Sequence, residues 1–119
     1  MSQEIEEFDE MKNLGVCVKA YIAEGRYKEC EELLAYSMYL HPHAPEPHNL
    51  FGILLEKEQE HLLAMKHFRA ALNLDPTYPP ARQNLEVFGS LFDQPRVFAY
   101  NPEDCEPSES TKVGKVTKL

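Results

Sequence analysis

A chain of 119 residues with an apolar fraction of 43% has room for one modest packed domain, since folding units usually run to about 100–150 residues. Its formal charge of −8, from twelve basic and twenty acidic side chains, opposes phosphate backbones and anionic lipid, so neither nucleic acid nor membrane is expected as a partner. The acidic surplus reads as a solvated surface and would favour a partner carrying Lys or Arg.

No apolar run approaches the roughly 18 residues that span a bilayer. The opening MSQEIEEFDE is acidic and lacks the basic and apolar parts of a secretory leader, so a cytoplasmic chain is expected. Cys17, Cys30 and Cys105 are odd in number and contain no C-x-x-C pair, which argues against a disulfide framework.

In chain order, Ile5, Phe8, Met11, Leu14, Val18, Tyr21 and Ile22 recur at helical spacing. Gly25 suits the left-handed residue that closes a helix. Tyr27, Cys30, Leu33, Leu34, Met38 and Leu40 form a second stripe, which Pro42 stops. A third helix opens at Pro45 and Pro47, where the first turn tolerates proline. It carries Leu50, Phe51, Leu54 and Leu55 before EKEQEH at 56–61 turns the chain. The fourth holds Leu62, Leu63, Ala64, Met65, Phe68, Ala71, Leu72 and Leu74 and ends before Pro76. The fifth runs from about Pro80 to Leu91, with Leu85, Val87, Phe88 and Leu91 apolar. Five helices are thus predicted over 4–91, and the fold class is all-α.

Two of the connecting stretches match. LHPHAP at 40–45 and LDPTYP at 74–79 share Leu, Pro and Pro at the same offsets, 34 residues apart. The same step pairs Leu14 with His48, Cys17 with Phe51 and then Leu85, Tyr21 with Leu55, Cys30 with Ala64, Leu34 with Phe68, and Ser37 with Ala71. Large residues meet large and small meet small, with few exceptions.

With these residues the chain resembles the tetratricopeptide repeat (TPR) family, which stacks 34-residue helical hairpins. The stretch 45–78 carries Phe51-Gly52, Leu55, Ala64, Phe68, Ala71 and Pro76 at the family's offsets. The stretch 11–44 keeps Tyr21, Gly25, Tyr27, Leu34 and Pro42, with Cys17-Val18 in place of Leu-Gly and Cys30 in place of Ala. The third repeat, 79–92, is truncated, because Pro95 and Pro102 oppose a second helix. The resemblance implies antiparallel helical hairpins stacked as a short right-handed TPR solenoid over residues 1–92, capped by the helix at 80–91. Residues 93–119 are left as an extended segment and a polar tail. RVFAY at 96–100 either packs on the fifth helix or offers an interaction patch. The Pro-, Ser-, Glu- and Lys-rich tail cannot offset its ordering entropy.

The resemblance also implies a non-enzymatic adaptor that binds a peptide or helix of a partner protein in a concave groove lined by the first helix of each pair. That groove would present Lys12, Gly15, Lys19 and Ile22, then Asn49, Ile53 and Glu56, then Gln83, Val87 and Ser90. Where some relatives clamp a C-terminal carboxylate, this chain has Gly15, Lys19, Leu50, Pro80 and Asn84. With Lys19 alone cationic, an amphipathic helix or an extended apolar segment is the expected occupant. The alternatives are a small cytoplasmic chaperone for an apolar helix of a secretion-system subunit, and a structural module forming a homodimer through the incomplete third repeat.

Other chemistry is sparse. His41, His43 and His48 offer nitrogens, but a closed zinc site takes four ligands and no thiol lies nearby in sequence. His41 is assigned to a helix C-terminus, where a positive charge complements the dipole, and His48 to a packing position. His61 and His67 lie six residues apart and share no helix face, so neither metal nor cofactor is expected. In the family the positions of Cys17 and Cys30 face each other across one hairpin, as a redox link or, preferably, as two buried apolar side chains. Cys105 is then the more accessible thiol. No nucleophile elbow, phosphate loop, H-E-x-x-H or apolar carboxylate pair is present, so no catalytic residue is assigned.

Overall fold

A computed structural model describes residues 2–90 and 97–105, with side chains from residue 6 onward. Five helices follow in order: α1 (Ser2–Ala23), α2 (Tyr27–Leu40), α3 (Glu46–Lys57), α4 (His61–Leu74) and α5 (Pro79–Gly89). A short 3₁₀ turn covers Pro102–Asp104. No strand occurs among the described residues, and the fold is all-helical. The expected roles of Ile5 as a stripe residue, of Leu91 and Pro95, and of the tail beyond Cys105 lie outside the described residues and side chains.

The punctuation works as elementary stereochemistry demands. Gly25 closes α1 at φ +73°, with the Arg26 N–H donating to the Tyr21 carbonyl and the Gly25 N–H to that of Ile22. This is the Schellman arrangement, in which the amides of the left-handed residue and of the one after it satisfy orphan carbonyls of the last turn. The end of α3 repeats it at the 34-residue step. Gln59 takes φ +66°, while Glu60 donates to Leu55 and Gln59 to Glu56. The ends of α2 and α4 also correspond, through His41 N–H to Ser37 carbonyl and Asp75 N–H to Ala71 carbonyl. Prolines then restart the chain inside the first turns of α3 and α5.

Each helix packs on the next, and α1 also meets α3, which in turn meets α5, whereas α2 and α4 do not touch. The odd-numbered helices therefore form one row and the even-numbered helices stand behind it. Val18, Leu34, Leu50, Ile53, Leu54 and Phe68 are the largest fully buried apolar side chains between these layers. Close approach of α3 and α4 depends on Gly52, where an added Cβ would sit 2.5 Å from the Phe68 ring.

Burial departs from expectation at several apolar positions. Leu62 is 77% exposed and Leu63 45%, because α4 turns Ala64, Met65, Phe68 and Ala71 inward instead. Cys17 is exposed while Cys30 is fully buried, and both are free thiols. The expected burial of Cys17 is thus corrected. Its counterparts Phe51 and Leu85 are themselves only half-buried, and α1 has just α2 and α3 as helical neighbours, whereas α3 has four.

Candidate functional site

The row formed by α1, α3 and α5 is occupied by the chain's own residues 98–103. Its centre is a pair of carboxamides, Asn49 on α3 and Asn84 on α5, both fully buried. Asn84 Nδ2 donates to Asn49 Oδ1 at 2.8 Å and to the Ala99 carbonyl at 2.9 Å. Asn49 Nδ2 donates to that same carbonyl at 3.0 Å. The Ala99 N–H donates back to Asn84 Oδ1 at 2.9 Å. Both main-chain groups of a fully buried residue are thereby satisfied by side chains, as a strand would satisfy them in a sheet.

Aromatic residues flank this centre. Phe98 stacks on Phe88 of α5, with ring centroids 4.4 Å apart and planes 13° from parallel. Lys57 Nζ stands 5.1 Å from the Phe98 centroid. Tyr100 meets Phe98 edge-on and has Lys19 Nζ 5.6 Å from its own ring centroid. Such cation–π contacts contribute about 0.5–1 kcal/mol each at exposed sites and more when desolvated. Burial pushes the Tyr100 phenol up to about 12, with Cys30, Asp104 and Tyr27 adding to the shift.

The segment then fastens to α1. Asn101 lies against Gly15, where any Cβ would collide with its carboxamide, and donates to the Lys12 carbonyl at 3.4 Å. Asp104 Oδ2 accepts the Tyr100 and Asn101 N–H groups, each at 3.1 Å. Glu103 pairs with Lys12 at 3.6 Å; both partners are more than half exposed, and an ion pair of that kind contributes roughly 0–1 kcal/mol.

Of the residues assigned to the inner surface, Lys12, Gly15, Lys19 and Asn49 come together around 99–103. Ile22 and Ile53 instead belong to the core. Glu56 accepts from His61 at 3.1 Å. Val87 and Gln83 are half-buried on α5, and Ser90 is half-buried just beyond it. Two further participants, Lys57 and Phe88, were not assigned to the surface, and Asn84 was considered only as a clamp position. Asn84 had a readable signal: with Ala81 and Phe88 it forms the buried i, i+3, i+7 face of α5. The local charge is also unlike the whole chain, since three lysines surround the acidic segment.

The histidines form a different pattern from the expected one. His48 Nδ1 and His67 Nδ1 approach to 3.2 Å across α3 and α4, and His67 also stacks on Phe51 at 4.8 Å. Burial lowers the pKa of both, and His48 lowers His67 further. Comparing positions along a single helix could not reveal a pair that spans two. His41, placed at the end of α2, pairs with Glu10 and lies near Glu7 on α1. His43 lines a cavity of about 330 Å³ with Glu7, Phe8, Met11, Ala44, Pro45 and Glu46. Among the described residues no group of three or more His, Cys, Asp or Glu side chains is placed to hold a metal, and no helix is long and apolar enough to cross a membrane.

Comparison with protein-family models, with curated proteins and with solved structures gives no match for the chain.

Proposed function

We propose that the protein is a non-enzymatic interaction module of the tetratricopeptide type, an adaptor whose α1–α3–α5 row binds an extended segment of a partner protein. The observation that carries this reading is the Asn49–Asn84 pair. Together these side chains satisfy the carbonyl and N–H of one residue, Ala99, a grip on main chain of the kind that extended-peptide recognition uses. The repeated turn geometry at Gly25 and Gln59 supports the family reading.

The test is to pan a display library of random peptides against the intact chain and to map the enriched peptides by NMR. Shifts should centre on the side-chain amides of Asn49 and Asn84 and on the Gly15 amide. Enrichment of peptides that instead perturb only the outer faces of α2 and α4 would sink the reading.

A further inference from the structure

Resting on that reading of the α1–α3–α5 row, we infer that residues 98–103 are an internal stand-in for the partner, which is a segment of pattern aromatic–small–aromatic–Asn with a carboxylate two residues on. The partner binds by displacing these residues.

Each element of the pattern follows from a contact. The small residue is required because Ala99 is fully buried between two carboxamides, and a larger side chain there would have to push them apart. The first aromatic is selected by the Phe88 face with Lys57 beside it. The second fills the place of Tyr100, under Lys19. Asn is selected where Gly15 leaves room for its carboxamide and the Lys12 carbonyl accepts from it. A carboxylate at the place of Glu103 meets Lys12.

The segment is also suited to exchange. It makes its contacts through the Ala99 main chain, two aromatic rings, the Asn101 carboxamide and the Glu103 carboxylate, all of which another segment of this pattern can supply. The largest fully buried apolar side chains all belong to helices, and the segment adds only Tyr100, with Phe98 packed beside it, to the edge of that core. Being part of the same chain, it competes as an intramolecular ligand, at an effective concentration and not at a free one. An incoming segment must therefore surpass an internal rival, and the fraction of open faces sets its apparent affinity.

The experiment uses a fluorescent peptide of residues Val97–Cys105 carrying Cys105→Ser, titrated by anisotropy into three full-length chains: wild type, Ala99→Leu and Tyr100→Ala. Either substitution weakens the internal segment without altering any helix, and circular dichroism verifies that each chain stays folded. The wild type should bind the probe weakly and at least one folded variant at least about tenfold more tightly, corresponding to a wild-type face that is closed about nine-tenths of the time. A probe that itself carries Ala99→Leu should not bind. Equal affinity for the wild type and both folded variants would overturn the inference, as would tight binding of the Ala99→Leu probe. If the folded variants ignore the probe while library-derived peptides still shift Asn49 and Asn84, the peptide site stands and the stand-in does not. If neither kind of peptide moves those amides, both fail.

Discussion

Asn49 and Asn84, 35 residues apart in sequence, meet side chain to side chain and converge on the carbonyl oxygen of Ala99. Their contributions are unequal, because Asn84 also accepts the Ala99 N–H.

Asn84→Ala should therefore weaken the docking of residues 98–103 more than Asn49→Ala. It leaves the Ala99 N–H without its acceptor and removes a donor from the carbonyl, a loss of about 2 kcal/mol, whereas Asn49→Ala forfeits about 1 kcal/mol. Native-state hydrogen exchange at the Ala99 amide should accelerate roughly thirtyfold in the first variant and about fivefold in the second. The reverse order would contradict the assigned bonding.

The two left-handed turns predict a reciprocal pair of effects. Gly25 has open space where a Cβ would stand, so Gly25→Gln adds backbone strain alone and should destabilise by about 1 kcal/mol. Gln59, at the corresponding position, holds φ +66° with a side chain, and Gln59→Gly should stabilise by about 0.5 kcal/mol once the looser unfolded chain is counted. Urea midpoints moving in the same direction for both substitutions would refute this.

Tyr78 is 5% exposed, and its hydroxyl is the buried side-chain atom left without a hydrogen-bond partner among the described residues. Burial raises its phenol far above the ordinary range, with Glu46 adding to the shift. Tyr78→Phe keeps the ring and removes the desolvated hydroxyl, so it should be neutral or stabilise by about 1 kcal/mol. A clear fall in thermal midpoint would show that the hydroxyl is bonded in solution.

The His48–His67 pair gives the protein an acid-sensitive joint between α3 and α4. Both groups have folded pKa values lowered by burial, so the folded state binds fewer protons than the unfolded one, whose histidines titrate near about 6.5. Their stabilising contribution is complete above that pH and is lost as pH falls below it, through the depressed folded values. Glu46 and Glu58, raised by burial, act in the opposite sense at lower pH. Comparison of wild type with His48→Leu isolates the histidine part: the variant should lose less stability between pH 7.5 and 5.5, and an equal loss would remove the pair from the account.

Thiol labelling should proceed in a fixed order. Cys17 is exposed and should react first. Cys105 is half-buried, its thiol pushed up to about 11 by burial with Asp104 and Glu103 adding to the effect, and it should follow slowly. Cys30, fully buried and also pushed up to about 11, should resist until the chain unfolds. Mass spectrometry of the native protein resolves the three, and early modification of Cys30 would contradict its burial.

What could be read in advance is what local chemistry decides. Gly25, Pro42 and Pro76 mark helix ends because the left-handed turn and the missing N–H act on the residues where they stand. The core face of α1, through Met11, Leu14, Val18 and Ile22, follows from spacing alone. Asn49 was placed on the inner surface through its offset in the repeat. Asn84 is harder to assign because a polar residue is normally turned outward, and two of its three bonds are with the main chain of Ala99, which no side-chain pattern announces. The seating of Phe98 and Tyr100 depends on contacts with α1, α3 and α5 at once. The His48–His67 contact requires the register between two helices, and the exposure of Cys17 depends on which neighbours α1 lacks.

The contact between Asn101 and the Lys12 carbonyl joins positions 89 residues apart. During synthesis, α1 emerges long before the residues that cover its face, so a nascent chain with five helices complete still shows Gly15 and the two buried carboxamides to the surrounding solution. Closing so long a loop comes late in folding. The same surface is thus open in every nascent molecule, before residues 98–103 first seat on it.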